Sequence, residues 1–351
     1  MELPKIPFYQ KYNLIFKAII AGAIIGLFYT KISNAGADYE HLRLLPGTII
    51  GVSISFIVIT FEKILIRLNT YSFIVSTILK ALIYSICILL FLLFFVLVFA
   101  EVLGHFSYQE ALSKYIRIRL FEDFVFSLAA SIFLILFLEI SSLLSNRFFS
   151  NYFTGRYHRP MQEERIFMFV DVKSSTTMAE ELGDILYSKL LQDLFNDFTD
   201  AILASRAEVY QYAGDEIILT WKTATGLKEQ RCLYCFYLLK QCINKRQEYY
   251  LKTYNRIPKF KAGMHIGNAV TTWVGKVKKE IVYHGDLLNT TSRIQCKCND
   301  FNHDFVVSEA MKEVLPENLP VTYKHQGEIL LRGKALPMKL YTVDFNIDPV
   351  Y

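Results

Sequence analysis

Two stretches of the sequence decide the fold: FMFVDVKSSTTM at Phe167–Met178 and EVYQYAGDEIILTW at Glu208–Trp221. Each contains an apolar run typical of a buried strand, and each run reaches one acid, Asp171 in the first stretch and Asp215 in the second. A carboxylate at the end of a buried strand is costly unless a partner compensates its charge. Two such carboxylates at matching strand ends can hold two divalent cations, so the pair predicts a site for a nucleoside triphosphate.

Hydrophobicity is distributed unevenly along the 351 residues. Apolar residues are concentrated before about Asn146, and the remainder has the composition of an ordinary mixed domain. We therefore expect a membrane domain with its linker over residues 1–150 and a cytosolic domain over residues 151–351. The net charge is +5 without a basic arm or stripe, which argues against a nucleic-acid partner and is compatible with contact to lipid headgroups.

Four stretches are long enough to cross a bilayer, which takes roughly 20 apolar residues. They are Asn13–Thr30, Gly47–Ile66, Ser72–Ala100 and Phe124–Leu144. An even number of spans places both termini on one side, and a modest excess of Lys and Arg predicts that this side is the cytoplasm. We therefore expect a multi-pass protein of the inner (plasma) membrane. Cleavage of the first span as a signal peptide near Ala37 is the alternative, and it leaves the C-terminal domain inside.

Four charged residues lie within or at the edge of the predicted spans: Lys17, Glu62, Lys80 and Glu139. Lys80 in the third span and Glu139 in the fourth lie at similar depth. Charges at that depth are costly in a bilayer and tend to pair with one another. The sequence predicts an ion pair between them. The alternative is that Lys80 extends its ammonium group to the membrane surface.

The residues after Asp171 predict an anion site. Ser174, Ser175 and Thr176 precede a helical pattern over about 177–205, and Ser and Thr are favoured at helix starts. The N–H groups and the dipole at a helix N-terminus attract phosphate. These three residues are therefore candidates for binding a triphosphate. Capping of the helix is the simpler role, and both roles can hold.

Asp215 is predicted at the tip of a tight hairpin. The runs Glu208–Tyr212 and Glu216–Trp221 are joined at Ala213-Gly214-Asp215, and Gly-Asp is typical of a two-residue turn. Such a hairpin would bring Asp215 near the end of the first strand. Glu216 alternates to the other face and is not expected to be a ligand.

The later part of the chain supplies cations. Gly263–Gly275 is expected to form another hairpin, with glycine at both turns. In the segment that follows, Asn289 and Arg293 have helical spacing, so one helix face offers a neutral donor and a guanidinium. Arg binds phosphate oxygens in a bidentate manner and keeps its charge. Arg332-Gly333-Lys334 adds two cations beside a glycine that lets a ligand approach closely.

These segments together resemble the class III nucleotidyl cyclases, the adenylate and guanylate cyclases, over roughly residues 156–343. The motif F-x-D-(I/V)-x-x-(S/F)-(S/T) is matched at Phe169–Thr176 and the G-D hairpin at Gly214-Asp215. The N-x-x-(S/A)-R helix is matched at Asn289–Arg293 and the element (K/R)-G-K at Arg332–Lys334. Four motifs in order make a specific match, and the N-terminal half is similar to that of membrane-anchored bacterial members.

The resemblance implies a fold and a reaction. The fold is an α-helical membrane domain of four transmembrane helices, followed by an α+β catalytic domain with a central, mostly antiparallel sheet. The reaction is conversion of ATP to 3′,5′-cyclic AMP and pyrophosphate in a homodimer. Two Mg²⁺ or Mn²⁺ ions per active site are implied, and the metal set is Asp171, Val172 and Asp215.

The resemblance also implies roles for the cationic residues. Asn289 would orient the ribose, and Arg293 would stabilise the charge that builds on the phosphoryl group. Arg332 and Lys334 would hold the terminal phosphates. In the family, the metal acids come from one subunit, while the Asn, the Arg and the late basic residue come from its partner.

Two positions of the purine pocket depart from the family. The position four residues before the second metal acid is usually Lys in adenylate cyclases and Glu in guanylate cyclases, and here it is Gln211. The position seven before the Asn is usually Asp or Thr in adenylate cyclases, and here it is Val282. The Gln211 amide can donate a hydrogen bond to N1 of adenine or accept one from N6. Guanine presents N1–H and N2–H₂ as donors, and one Gln has a single acceptor for them. The pocket therefore favours ATP, with a guanylate cyclase as the alternative.

Two further alternatives remain open. Ala213–Ile217 is similar to the G-G-D-E-F signature of diguanylate cyclases, but those enzymes lack the N-x-x-(S/A)-R helix present here. The other alternative is a membrane receptor with a catalytically silent cyclase-like domain. Silent copies usually lose a metal Asp or the Arg, and this sequence retains all of them.

Overall fold

The computed structural model describes residues 19–28, 51–52, 55–56, 58, 72–103, 108–118, 120–143 and 155–346. These residues belong to two compact units, a helical unit before residue 150 and an α/β unit after it.

Among the described residues of the helical unit, two helices are long and apolar enough to cross a bilayer, over Phe73–Phe94 and Leu120–Phe137. The continuous helices described in this unit are α1 (Ile19–Phe28), α2 (Phe73–Leu103), α3 (Tyr108–Ile118) and α4 (Leu120–Leu143). The two long apolar segments coincide with the third and fourth predicted spans. The first predicted span is described over Ile19–Phe28, and most of the second lies outside the described residues.

Small and hydroxyl residues lie where the helices of this unit approach one another. A Cβ built on Gly22 would lie 2.4 Å from the carbonyl oxygen of Gly51, so only glycine permits this contact. The hydroxyl oxygens of Ser85 on α2 and Ser127 on α4 are 2.7 Å apart. Close backbone contact and side-chain hydrogen bonds of this kind hold helices together in lipid.

Lys80 and Glu139, the two charges predicted at similar depth, are both at least partly buried in the helical unit. Lys80 is 2% exposed and Glu139 is half-buried. Such positions agree with side chains that find partners rather than face lipid. The pairing of Lys80 with Glu139 stays a prediction.

The α/β unit is built on an eight-stranded sheet. Its strands are β1 (Met161–Val172), β2 (Glu208–Ala213), β3 (Glu216–Lys222), β4 (Phe260–Val274), β5 (Glu280–His284), β6 (Phe305–Ser308), β7 (Val321–Ile329) and β8 (Met338–Phe345). The order is β2-β3-β1-β4-β6-β8-β7, with β5 paired to β4. Only the β4–β6 pair is parallel among these strands, so the predicted mostly antiparallel sheet is confirmed.

Helices cover the sheet and enclose its core. They are α5 (Ser175–Leu182), α6 (Asp184–Asp197), α7 (Thr199–Ala204), α8 (Thr223–Leu227), α9 (Arg231–Lys245), α10 (Gln247–Tyr254), α11 (Asp286–Asp300) and α12 (Glu309–Glu313). Fully buried residues such as Leu194, Trp221 and Phe236 form the main core with the apolar side chains of β1. The predicted single helical pattern over 177–205 is interrupted at Gly183, whose φ of +75° separates α5 from α6.

Strand β4 is continuous, so the hairpin predicted over Gly263–Gly275 is wrong. Gly263 lies inside the strand, where a Cβ would be 2.3 Å from the backbone nitrogen of Gln295 in α11. The glycine therefore permits close packing of α11 on β4 rather than a turn. Only Gly275, with φ +95°, lies at the turn that leads into β5.

Candidate active site

Asp171 lies near the carboxyl end of β1, between charged residues of both neighbouring strands. The register places Glu216 of β3 opposite it on one side and Lys261 of β4 on the other. Lys261 Nζ is 3.2 Å from Asp171 Oδ2, and Gln295 Nε2 of α11 donates a 3.0 Å hydrogen bond to the same oxygen. One cation and one amide donor therefore compensate the carboxylate.

Asp215 lies in the two-residue turn between β2 and β3, as the sequence predicts. Ala213 pairs with Glu216 across the turn, and Gly214 has φ +64°, a conformation that glycine adopts without strain. Strand β3 pairs directly with β1, and the turn lies at the end of β1 that carries Asp171. The hairpin thus brings the second acid to the first.

Glu216 is a third acid at this end of the sheet. Directly opposite residues of antiparallel strands share a face, so Glu216 shares the face of Asp171, and the expectation that it points to the other face is wrong. Burial raises the pKa of Glu216 to about 7, and the charges of Asp171 and Asp215 add to this shift. Burial also raises the pKa of Asp171 despite the hydrogen bond from Lys261, and Asp215 raises it further. Burial and the mutual repulsion of the acids thus disfavour their ionisation in the absence of a compensating cation.

The donors at this site fit a divalent cation. Carboxylate oxygens are the ligands that Mg²⁺ prefers, and mutual repulsion among the acids favours a bound cation. Within the described ranges, no three His, Cys, Asp or Glu side chains form a metal cage. Mg²⁺ commonly uses one or two carboxylates and takes its other ligands from substrate phosphates and water. The Val172 side chain is apolar and buried, so only its main chain is available to a metal.

The backbone turns sharply at Ser174, immediately after the first acid. Ser174 has φ 55° and ψ 36°, in the left-handed region, and its side chain makes no capping hydrogen bond to α5. The predicted capping role is therefore not observed at Ser174. A non-glycine residue in this region costs on the order of 1 kcal/mol, and such residues cluster at functional sites. The turn presents the first N–H groups of α5, at Ser175 and Thr176, beside Asp171.

Arg293 and the turn between β7 and β8 form a cationic cluster on α11. A Cβ built on Gly333 would lie 3.3 Å from a guanidinium nitrogen of Arg293, and Gly333 has φ +72°. Lys334 forms an ion pair with Asp286, the first residue of α11. Arg332 is exposed beside them. The structure therefore brings together the basic residues that the sequence places about forty positions apart.

Helix α11 contacts the acids and the cationic cluster with different faces. Gln295 binds Asp171, whereas Arg293, two residues earlier, lies against Gly333. Two residues correspond to a rotation of about 200° at 3.6 residues per turn. Arg293 therefore points away from the acids of its own chain. Asn289 is exposed and shares the face of Arg293, since it lies four residues before it.

The predicted purine positions lie on two peripheral strands. Gln211 is exposed on β2 directly after Tyr210, where the β2–β3 register shifts in a bulge. Val282 is half-buried on β5, where it pairs with Thr272 of β4. The ring of Tyr210 is 5.1 Å from the ring of Tyr283, the neighbour of Val282. The residues that adjoin the two purine positions are therefore in contact.

Sequence patterns do not indicate Lys261 or Gln295 as site residues. Lys261 reaches Asp171 because β4 pairs with β1, and this pairing joins segments ninety positions apart. Gln295 reaches Asp171 because α11 packs on β4. One sequence feature could have identified Gln295 as a site residue: it is a polar residue on the face of α11 opposite Arg293. An amide buried on that face needs a hydrogen-bond partner.

His265 supports a prediction about stability at low pH. Burial lowers the pKa of His265 to about 4, the charge of Lys334 adds to this, and its Nδ1 is 2.7 Å from Ser308 Oγ. The unfolded chain takes up a proton on this group below its ordinary pKa of about 6.5, while the folded chain stays neutral. Stability should therefore fall by up to about 3 kcal/mol as the pH drops from about 6.5 towards 4. In thermal unfolding experiments across this pH range, the melting temperature of His265→Asn should fall less than that of the wild-type protein.

The exposed His284 provides the control for this measurement. His284→Asn should follow the wild-type curve. Equal pH dependence of wild-type protein and His265→Asn would contradict the assignment.

Comparison with known proteins gives concordant results. The family model of the adenylate and guanylate cyclase catalytic domain matches residues 158–344. The chain is similar to Adenylate cyclase 2 of Rhizobium meliloti (strain 1021), with 31% identity over 211 residues, which is 60% of this chain and 58% of the relative. Adenylate cyclase 1 of the same organism shows 23% identity over 55% of this chain and 29% of its own length. The chain thus spans less than two thirds of either relative.

Among solved structures, a bacterial light-regulated adenylyl cyclase aligns with a TM-score of 0.52. The alignment has 16% sequence identity and covers 63% of this chain and 64% of the other. At this identity the similarity concerns the fold.

Proposed function

Since the chain belongs to the family of adenylate and guanylate cyclase catalytic domains, we propose that it is a membrane-bound adenylate cyclase that converts ATP to 3′,5′-cyclic AMP and pyrophosphate. The observation that carries the proposal is the convergence of Asp171 and Asp215 at one end of the sheet, with Arg293 and Lys334 gathered on α11. The similarity to Adenylate cyclase 2 of Rhizobium meliloti supports the choice of ATP. The test is cyclic AMP formation by the purified full-length chain.

The acids and the cations have different roles in the proposed phosphoryl transfer. When bound by Asp171, Asp215 and the main chain of Val172, two Mg²⁺ or Mn²⁺ ions would lower the pKa of the ribose 3′-hydroxyl and neutralise triphosphate charge. The 3′-oxygen forms a bond to the α-phosphorus, and the bond to the bridging oxygen breaks as pyrophosphate leaves. Ser175 and Thr176 contribute backbone N–H groups at the start of α5 that can bind phosphate oxygens. Ser174 places these groups through its left-handed turn.

Arg293 is the candidate for stabilising the transition state. Its guanidinium offers a planar pair of donors to the charge that builds on the phosphoryl oxygens. Asn289, on the same face of α11, can hydrogen-bond the ribose and set the direction of its 3′-oxygen. Arg332 and Lys334 adjoin Arg293 and can hold the terminal phosphates.

The directions of the α11 side chains support active sites shared between two chains. Gln295 occupies the face of α11 that meets Asp171, and Arg293 is rotated away from it. An Arg that must act on a nucleotide held by Asp171 and Asp215 is therefore better supplied by a second copy. Such a two-fold homodimer contains two equivalent sites, each with acids from one chain and the cationic face of α11 from the other.

The helical unit supports attachment to a lipid bilayer. Residues at every fourth position of α2 are apolar and 39–69% exposed, forming a stripe along the helix. They are Ile74, Ile78, Leu82, Ile86, Leu90 and Phe94. A stripe of this length is unfavourable in water and favourable against lipid chains. We place the protein in the inner membrane, with the α/β unit in the cytoplasm.

Gln211 should set a moderate preference for ATP over GTP. A neutral amide contributes about 1 kcal/mol of net discrimination, whereas a charged partner contributes about 1.5–3 kcal/mol. We expect Gln211→Glu to shift the ratio of kcat/KM for ATP and GTP towards GTP, because a carboxylate accepts from both guanine donors. Gln211→Lys should sharpen the ATP preference. Initial rates with each nucleotide measure both ratios.

Gln162→Glu is the charge-matched control, since Gln162 is exposed and lies nine residues along β1 from Asp171. It should leave the ratio unchanged. A wild-type enzyme that clearly prefers GTP would refute the assignment of ATP and support the guanylate cyclase alternative.

A further inference from the structure

Arg165 is a buried charge that has no part in the proposed chemistry. It lies on β1, six residues before Asp171, and is 1% exposed. Its Nε donates to Glu163 at 2.9 Å, and its Nη1 donates to Glu208 at 3.2 Å. Its guanidinium also lies over the ring of Tyr283, 4.7 Å from the centroid. Burying an ion is costly unless its partners compensate, and here three groups from three strands do so.

The carboxylates around Arg165 are themselves fixed. Glu163 accepts hydrogen bonds from Tyr157 Oη at 3.1 Å and from Thr271 Oγ1 at 2.8 Å. Burial alone would raise the pKa of Glu163, but Arg165 and these hydrogen bonds hold it below its usual value. The pKa of Arg165 is raised by Tyr283 and the two carboxylates although burial opposes this. Glu163 and Arg165 are therefore both charged at neutral pH.

The bond from Arg165 to Glu208 crosses the sheet. In the strand order, β3 lies between β1 and β2, so Arg165 reaches past its neighbour to an edge strand. In the described sheet, β2 is hydrogen-bonded to β3 alone and β5 to β4 alone. Edge strands of this kind are held in place by fewer ladder bonds than central strands. Side-chain contacts therefore have a large influence on where β2 and β5 lie.

Aromatic contacts connect the same two strands. Tyr210 of β2 and Tyr283 of β5 are 5.1 Å apart, and both contact Phe167 of β1, at 6.1 and 5.2 Å. Burial raises the pKa of Tyr210, and the backbone N–H of Tyr283, which faces the Tyr210 hydroxyl oxygen, opposes this rise. Tyr210 is the bulged residue of β2, and a bulge redirects the side chains next to it. The residue that follows this bulge is Gln211, and the residue before Tyr283 is Val282.

We propose that Arg165, Tyr210 and Tyr283 form a positioning unit that fixes Gln211 relative to Val282 and thereby sets the selectivity of the site for purines. The inference rests on the proposed function of Gln211 and Val282 as the purine-facing positions. None of the three residues touches the reacting atoms. They affect nucleotide binding indirectly, by fixing the distance between β2 and β5 and the orientation of the two strands.

Tyr210→Phe and Arg165→Lys test this unit. Tyr210→Phe keeps the ring and removes the hydroxyl that faces the backbone N–H of Tyr283. Arg165→Lys keeps the charge and removes the planar guanidinium over Tyr283. We expect each variant to lower the ratio of kcat/KM for ATP over GTP by about fivefold, the equivalent of one net hydrogen bond. The change should appear in KM, with kcat for ATP within about threefold of wild type, because no group that touches the reacting atoms is altered.

Thr271→Val is the matched control. The substitution removes the hydrogen bond from Thr271 to Glu163, and Thr271 is as deeply buried as Arg165. It leaves the contact between Tyr210 and Tyr283 intact. It should lower the melting temperature as a purely structural change does, and it should leave the ATP to GTP ratio unchanged. A ratio shifted equally by Thr271→Val, or variants that melt earlier with wild-type ratios, would overturn the proposal.

The dissociation constants of non-cyclisable ATP and GTP analogues on the full-length protein provide a second measure. If the wild-type protein shows no cyclase activity, the proposed function is contradicted. The ratio of the dissociation constants for the ATP and GTP analogues, compared between wild type and variants, then still tests the positioning unit. An active wild type with unchanged ratios in Tyr210→Phe and Arg165→Lys contradicts the positioning unit alone.

Discussion

Asp171→Ala and Asp215→Ala are each expected to lower cyclic nucleotide formation by more than about a hundredfold, because even indirect changes at metal sites cost about 10–100-fold. Burial already disfavours ionisation of Asp171, and Asp215 lies half-exposed in the turn between β2 and β3, so the fold should tolerate both substitutions. The melting temperature should therefore stay close to that of wild type. Product formation and thermal unfolding of the purified variants measure the two effects separately.

Asp344→Ala is the control for this experiment. Asp344 is an exposed acid on β8 that pairs with His303 at 3.0 Å, and it should be dispensable for activity. Substantial turnover by Asp171→Ala would refute the metal assignment. Equal loss in Asp344→Ala would show that the effect of the active-site variants is not specific.

Mixing Asp171→Ala with Arg293→Ala should restore activity that neither variant has alone. If each site combines the acids of one chain with the Arg of the other, a heterodimer contains one intact site. Random pairing of equal amounts yields half heterodimers, so recovery of about a quarter of wild-type activity is expected. Co-expression with two affinity tags, followed by tandem purification, would isolate the heterodimer for the assay.

A mixture of Asp171→Ala with Asp215→Ala is the matched control, because both acids belong to the same half of the site and no intact combination can form. Failure of Asp171→Ala and Arg293→Ala to recover activity in purified heterodimers would argue for a site within one chain.

Local features of the site could be predicted from the sequence because short-range chemistry determines them. The Gly214-Asp215 turn follows from turn preferences, and the spacing of Asn289 and Arg293 follows from helical periodicity. Glycine was less informative. The sequence predicts Gly263 at a turn, but the residue permits the packing of α11 on β4, since both uses require a residue without a Cβ.

Long-range features could not be predicted in the same way. Lys261 and Glu216 lie opposite Asp171 only because β1 is flanked by β4 and β3 in one particular register. A shift by one residue would turn both side chains to the other face, and no local pattern reports that register. The buried network of Arg165 likewise depends on the order of four strands.

The most direct measurement for the central claim is identification of the product that the purified full-length protein forms from ATP and from GTP, with Mg²⁺ or Mn²⁺, in detergent or nanodiscs. We predict 3′,5′-cyclic AMP and an equal amount of pyrophosphate, faster formation from ATP than from GTP, and loss of both products when the metal is chelated. Folded, dimeric protein that forms no cyclic nucleotide from either substrate with either metal would contradict the account and favour a silent cyclase-like receptor.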